Sequence, residues 1–478
     1  MNIKLVLKLV GRVLLLEAAV LAVPLAVALL YRESPVPFLL SIAIVAAVGA
    51  ALSALPAPLQ FFTREGFVSV GLIWIFTGLV GALPFLFSGW FATPMDAIFE
   101  SCSGFTTTGS TILTEIEALP KGILFWRAFT HWLGGMGVLV LATAIVPKMD
   151  IRAHYLTQAE TPGPVFSKLV PRQSQTSKIL YSMYFALTAV EVVCLKIAGM
   201  PLYDAFIHSF STAGTGGFSN RNASVGAYDS VAIDVIITVF MLLFSINFAI
   251  YFLLLTKKWR EALASDELRF FLSVVAGATL IITFVNLGTY SGVGESLRYA
   301  AFQVAAIIST TGFGTADFAL WPQFSQMILL LLMFCGACAG STGGGMKCSR
   351  VLLLLRGTRR EIHRITHPRS VEVVKLDGKL VNESTLHSLL VFLGAYVTTV
   401  FAAALIISLD GRSFAVSFSA ALTCVSNVGP GLEAIGPSGN FAAFSGLSKG
   451  VMSLCMIIGR LEIFPILVLF SPTTWRKL

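Results

Sequence analysis

The chain has 478 residues, of which 56% are hydrophobic and only 12% charged, and its mean hydropathy is +0.83. A soluble domain carries about a quarter charged residues, so this composition excludes a cytosolic enzyme, a disordered protein and a secreted disulfide scaffold, and leaves an integral membrane protein. The 41 glycines fit that class, because Gly is frequent where membrane helices pack closely or break.

Apolar stretches lie near 10–30, 37–58, 66–90, 122–147, 179–199, 231–256, 270–288, 325–346, 387–409 and 446–470. At about 20 residues per span they predict an all-α protein of about ten transmembrane helices. A transmembrane barrel would alternate over segments of about ten residues instead. Val10–Leu30 follows Lys4, Lys8 and Arg12 as a signal core would, but it exceeds ~15 residues and is expected to be a retained first helix. Placing the N-terminus inside puts Lys4, Lys8, Arg12, Arg64, Arg476, Lys477 and the clusters within Lys148–Lys178, Lys257–Arg269 and Lys347–Lys379 on the inner side. The opposite face receives few, among them Lys121, Arg221, Arg298, Arg412 and Lys449. By the positive-inside rule both termini are cytoplasmic. These inner-loop clusters account for the net charge of +8 without nucleic acid as a partner. Cys335 and Cys338 form a C-x-x-C within an apolar helix, which reads as small buried thiols.

Four long outer segments, roughly 91–121, 200–230, 289–324 and 410–445, each open on a short half-apolar stretch and end in small residues. Asp96–Gly109 aligns without gaps on Asp204–Gly217 with six of fourteen positions identical, and Tyr299–Gly312 keeps a Thr-Thr-Gly ending. Val416–Gly429 is the weakest copy and ends Ser426-Asn427-Val428-Gly429. One unit of helix, pore loop and helix therefore recurs four times, at 66–150, 175–262, 265–360 and 385–478. Two extra N-terminal helices occupy 1–65, and a cytoplasmic loop covers 361–384. The first re-entrant segment has helix-start chemistry: Thr93 can cap, Pro94 suits the first helical position, and Asp96 sits near the positive helix end. A stretch of about ten residues cannot span the bilayer, and non-helical backbone at that depth must be buried or line water. Gly permits the φ > 0 geometry that turns carbonyls toward an axis, Thr hydroxyls add oxygen ligands, and inward-pointing helix C-termini favour a cation. Close helix packing is the competing reading of the small residues, and it does not explain four copies at matched positions.

Two features suggest a gate. Cys335–Met346 holds five glycines in twelve residues, and each costs a helix about 1 kcal/mol relative to Ala. An interrupted helix with a loop beneath the pore segments is expected, tight helix packing being the alternative. Arg460, within Met456–Pro465, is costly in a membrane helix unless it faces a partner or a water-filled path. A pair with Glu462 is the alternative, although i and i+2 residues point to different helix faces. Glu17 and Glu191 lie in apolar spans and are expected to pair between helices, a proton relay being the other reading. His131 and His208 lack partners at catalytic spacing, so structural hydrogen bonding is expected. Asp204, Asp317 and Glu433 either give the outer mouth negative potential or cap helices. No nucleophile–base pair, metal cluster or Gly-rich nucleotide fingerprint stands out, so neither enzymatic activity nor an organic cofactor is expected.

Gly104-Phe-Thr-Thr-Thr-Gly-Ser110, His208–Phe218 and Ser309-Thr-Thr-Gly-Phe313 resemble the motifs of the Trk/Ktr/HKT superfamily of potassium transporters, closest to its bacterial TrkH/TrkG branch. Gly336–Lys347 and His131–Gly137 strengthen the resemblance, which covers essentially the whole chain. It implies a pseudo-fourfold K+ pore in the bacterial inner membrane, a homodimer, and gating by a cytoplasmic RCK-type (TrkA-like) nucleotide-binding ring. The ion-binding filter it implies comprises Thr107, Thr108 and Gly109; Thr215, Gly216 and Gly217; Thr310, Thr311 and Gly312; and Asn427, Val428 and Gly429. It also implies a gating loop at Gly343, Gly344 and Gly345, with the charge of Arg460 below the filter opposing cation passage. Asn427 and Val428 depart from the Thr-Thr-Gly form, so a quarter of the ring lacks the Thr hydroxyl. Fewer stacked carbonyl sites are expected than in tetrameric potassium channels, and hence weaker discrimination among potassium, rubidium and sodium. The segment Lys347–Lys379, with nine basic and three acidic residues, suits membrane lipid by composition and the gating ring by length. The expected function is a potassium-conducting pore or uptake subunit. The alternative is a Na+- or H+-coupled symporter, against which stands the lack of an inverted repeat.

Overall fold

The computed structural model describes residues 1–56, 63–137, 173–370 and 372–475. The N-terminal pair is helix Ile3–Val20, continued by Ala22–Leu30, lying against Val36–Ser53. Asn2 starts it by accepting a hydrogen bond from the Leu5 amide at 3.2 Å. The two helices cross where Gly11 meets Gly49; a Cβ on Gly49 would lie 3.0 Å from the Gly11 carbonyl oxygen. Small residues at a crossing let membrane helices approach this closely.

The same succession of elements then occurs four times. A leading helix (Thr63–Val80 with Leu83–Phe87; Gln173–Ile197; Asp266–Val285; Glu383–Ile407) is followed by a short re-entrant helix (Pro94–Phe105; Leu202–Gly214; Val293–Ile308; Phe414–Ser426). Next come a 3₁₀ turn (Ile116–Ala118; Ser224–Tyr228; Phe318–Leu320; Glu433–Ile435) and a trailing helix (Lys121–Gly135; Val231–Ser245; Gln323–Cys335; Gly446–Arg460). Local chemistry sets the starts. Thr93 and Asp96 form a capping box, each side chain accepting from the other's amide, at 3.2 and 3.1 Å. Trailing helices begin after Pro120 and Pro322, or on the capping hydroxyls of Ser230 and Ser445.

Among the described residues, six helices are long and apolar enough to cross a membrane, or seven counting one bent pair, rather than the expected ten. The difference lies in the trailing helices, three of which break among the described residues. Val231–Ser245 turns through 92° into Phe248–Leu255. Gln323–Cys335 stops at Gly336, whose φ is +68°. Gly446–Arg460 stops just before Ile463, at φ +72°, and a new helix restarts over Phe464–Phe470. Apolar residues lie on both sides of each break, so hydropathy joined what the backbone divides. The single interruption expected near 335–346 is one of a belt. The first trailing helix is described as far as Gly137, and the rest of the 122–147 span lies outside the described residues, as do Lys148 and its neighbours to 172, Arg476 and Lys477.

The connection expected as a loop at 361–384 is partly regular. Helix Cys348–Thr366 runs into it, followed by a two-stranded hairpin that pairs Lys375 with Leu380 and Leu376 with Lys379. Arg356 meets Asp266 at 2.8 Å and Arg360 pairs with Glu383, tying this basic segment to the leading helices of the third and fourth repeats.

Candidate ion-binding ring and its floor

All four re-entrant helices end alike. The amides of Thr108, Gly216, Thr311 and Val428 bond back to the carbonyls of Ser103, Ser211, Ala306 and Thr423 at 2.9, 2.8, 2.9 and 3.0 Å. The residue before each is left-handed: φ is +55° at Thr107, +56° at Thr215, +62° at Thr310 and +55° at Asn427. This is the left-handed helix cap that Gly or Asn ordinarily fills. Asn427 suits it, whereas a β-branched residue there is strained. The fourth loop departs in sequence yet keeps the backbone of the other three.

The closing glycines bind the loops into a ring. Gly109, Gly217, Gly312 and Gly429 have φ of +83°, +76°, +75° and +108°. A Cβ on Gly109 would lie 1.8 Å from the Gly216 carbonyl oxygen, and one on Gly217 would lie 2.0 Å from that of Thr311. On Gly312 it would lie 2.1 Å from the Val428 oxygen, and on Gly429 2.8 Å from the Thr108 oxygen. Each glycine thus abuts the next loop's middle carbonyl, in the order first, second, third, fourth and back to first. All four glycines border one cavity of about 120 Å³.

Three of the left-handed residues reach a floor under the ring, while the Thr215 hydroxyl donates to the Gly214 carbonyl at 2.6 Å. Thr107 Oγ1 accepts from Arg460 at 3.2 Å, and Thr310 Oγ1 accepts from the Gly344 amide at 2.7 Å. Asn427 Nδ2 donates to the Met456 carbonyl and to Thr108 Oγ1, both at 2.9 Å. The hydroxyls of Thr107 and Thr310, expected to add ligands to the ion path, are therefore engaged with the floor. The residues Gly336–Lys347 form part of that floor. A Cβ on Gly343 would lie 2.9 Å from the Ser309 oxygen, and one on Gly344 would lie 2.5 Å from that of Ser426, so this backbone presses directly on the third and fourth loops. The Lys347 ammonium donates to the Gly343 carbonyl. Arg460 completes the floor by donating to the carbonyls of Gly134, of Gly135 at 2.8 Å and of Thr342 at 2.9 Å. Glu462 pairs with Arg350, not Arg460, because the chain breaks between the two positions.

Three ion pairs went unnoticed in the sequence. Behind the first two loops, fully buried Arg127 and Glu100 meet at 2.7 Å. Glu100 also accepts from the Ile112 amide and Thr111, while Arg127 donates to the Ser219 carbonyl at 3.1 Å and stacks over Phe218. Asp96 and Lys449 meet at 2.5 Å between the first and fourth repeats, and Arg298 and Asp234 at 2.7 Å between the third and second. The cost of intramembrane charge, which drew attention to Arg460, applies equally to Arg127 and Glu100 and was the available signal. Lys449→Met should lower the thermal midpoint in detergent by leaving Asp96 buried without its cation, a loss of about 3 kcal/mol. Adding Asp96→Asn should recover most of that loss while keeping the helix cap.

Most of the remaining polar residues hold hydrogen bonds within the protein. His131 Nδ1 lies 2.9 Å from the Gly104 carbonyl oxygen, and His208 bridges the Asp204 carbonyl and Ser219 Oγ at 2.8 and 3.0 Å. Asp204 accepts from Asn220 and Tyr228, Asp317 caps the Ala319 amide, and Glu433 accepts from Ser413. Glu17 and Glu191 are both buried and form no ion pair among the described residues; the Glu17 carboxyl has no hydrogen-bond partner there, whereas that of Glu191 faces the Thr212 hydroxyl on the next helix. Cys335 and Cys338 are buried and free, as expected.

A family model described as "TrkH: Cation transport protein" matches residues 36–477. The chain is 38% identical over 491 aligned residues to the Trk system potassium uptake protein TrkH of Salmonella typhimurium, covering 100% of both chains. It is 35% identical to TrkG of Escherichia coli K12, covering 95% of each. The crystal structure of the potassium transporter TrkH from Vibrio parahaemolyticus superposes with a TM-score of 0.89 at 35% identity, covering 100% of both chains.

Proposed function

The chain belongs to the TrkH family of cation transport proteins, and on that premise we propose that it conducts potassium across the bacterial inner membrane through the ring of four re-entrant loops. The observation that carries this reading is the closure of the ring, in which each filter glycine lies against a carbonyl of the next loop all the way round. Carbonyls held at such spacing can replace a cation's water shell, and the helix C-termini that lead into the loops add negative potential. Potassium is the cargo, and the residues that bind it are Thr107 to Gly109, Thr215 to Gly217, Thr310 to Gly312 and Asn427 to Gly429. The chain is a transporter, not an enzyme. Both termini are cytoplasmic, the protein works as a homodimer, and the basic segment after Lys347 meets a cytoplasmic nucleotide-binding subunit; the relatives' name, a Trk system, supports a multi-part assembly.

Rubidium flux into proteoliposomes with imposed sodium or proton gradients tests the proposal. Flux that follows only the potassium or rubidium gradient supports a channel, and flux driven uphill by either other gradient establishes symport. Reversal potentials should show measurable sodium permeation, since each loop is short.

The gate is the Gly343–Gly345 loop, held up by Arg460. Neutralising Arg460 to Gln removes the bonds to Gly134, Gly135, Thr342 and Thr107 together with the positive charge. Cation flux should rise about fivefold, the equivalent of about 1 kcal/mol. Arg460→Lys separates the causes: it keeps the charge but loses the planar fork. A rise equal to that of the Gln variant assigns the closed state to the tie, whereas unchanged flux assigns it to the charge.

A further inference from the structure

We infer that Cys335 and Cys348 form a reversible dithiol–disulfide site whose oxidation locks the loop beneath the ring. The proposal rests on reading that loop as the gate. The two sulfurs lie 3.5 Å apart, and Cys348 Sγ also lies 3.2 Å from the Gly336 carbonyl oxygen. Cys335 is the last residue of helix Gln323–Cys335 and Cys348 the first of helix Cys348–Thr366, so the thiols stand at the two ends of Gly336–Lys347, across its neck. The backbone closes the same neck. The Cys348 amide donates to the Ala337 carbonyl at 2.9 Å, and a Cβ on Gly345 would lie 2.8 Å from the Gly336 Cα.

A loop seated this tightly under the third and fourth filter segments leaves the axis only if its neck loosens. A disulfide across the neck removes that freedom, because it forbids the separated arrangements of its two ends. The sulfurs are already neighbours at 3.5 Å, so bond formation must bring them closer by about 1.5 Å. Both thiols are buried, so a small, neutral, membrane-permeant oxidant is required. With diamide, one thiolate adds to the N=N bond to give a sulfenylhydrazine. The second thiolate attacks that sulfur and expels the hydrazine nitrogen. The S–S bond forms, and two electrons and two protons pass from the thiols to diamide, which becomes the hydrazine. Dithiothreitol reverses the reaction by exchange.

The test uses the full chain in proteoliposomes treated with diamide, with the disulfide read by mass spectrometry after alkylation and rubidium flux measured on the same sample. The expected result is a Cys335–Cys348 bridge, a flux lower by roughly tenfold or more, and recovery with dithiothreitol. Cys335→Ser and Cys348→Ser should each abolish the flux response, while Cys338→Ser should retain it. Absence of the bridge, a bridge to Cys338 instead, or a bridge that leaves flux unchanged overturns the proposal. Gly344→Ala under reducing conditions examines the gate independently. If it alters flux while the bridge does not, the redox lock fails and the gate stands; if neither does, the gate itself fails.

Discussion

Gly312→Ala should abolish potassium flux, lowering it by at least ~100-fold, while the protein still folds and elutes as the wild type does. Two costs coincide at this position. Its φ of +75° costs an L-residue about 1–2 kcal/mol. The added methyl would also lie 2.1 Å from the Val428 carbonyl oxygen and 2.7 Å from Pro430 Cδ, neither of which can rotate away. The only relief is to push the third and fourth loops apart, and that displaces the carbonyls proposed to hold the ion. Gly277→Ala is the matched control, because a Cβ there meets nothing within 4 Å. It should leave flux unchanged. Normal flux through the Gly312 variant would remove the ring from the conduction path, and equal loss in both variants would point to general fragility instead.

The fourfold plan was legible because its signals are local. Thr93, Pro94 and Asp96 announce a helix start wherever they occur together, and the recurring glycine marks where the chain turns back. Arg460 was legible for a different reason: a charge in an apolar run is expensive enough to demand a purpose. By side chain, Asn427 departs from the other loops, since it lacks their Thr hydroxyl. By backbone it conforms, since Asn tolerates the left-handed shape that Thr107, Thr215 and Thr310 adopt under strain.

What the sequence concealed depends on contacts between distant segments. Asp96 and Lys449 are 353 residues apart, as are Thr107 and Arg460, and no periodicity links them before the ring closes. The breaks after Ser245 and Arg460 are hidden for a related reason. Apolar residues lie on both sides, and distant segments meet each break: the Cys338 amide donates to the Ser245 carbonyl and the Phe248 amide to that of Gly340, both at 3.1 Å, while a Cβ on Gly459 would lie 2.0 Å from the Val425 carbonyl oxygen. The engaged hydroxyls of Thr107 and Thr310 follow from the same packing. Their orientation is set by a floor to which Thr107 is tied by Arg460 of the fourth repeat and Thr310 by Gly344, 34 residues further along its own repeat.

Arg127→Met should be the most damaging single change outside the ring. It would strand the Glu100 carboxylate, which is completely buried, and delete the bond to the Ser219 carbonyl that supports the second loop. Removing one partner of a buried pair costs about 3–5 kcal/mol, a large share of a typical folding free energy. The thermal midpoint in detergent should fall and flux should fall with it. Glu100→Gln/Arg127→Met separates stability from support. The amide no longer needs a cation and can still accept from the Ile112 amide, so much of the lost stability should return. The Ser219 carbonyl stays without its donor, however, and the second loop, which carries Thr215 to Gly217, loses its brace. The double variant should therefore unfold closer to the wild-type temperature while still conducting poorly or discriminating less between potassium and sodium. Full recovery of both properties would make the pair a matter of stability alone. Failure to recover either would mean that the Arg127 bonds to Ser219 and Thr111 and its stacking on Phe218, rather than the neutralisation of Glu100, hold this side of the ring.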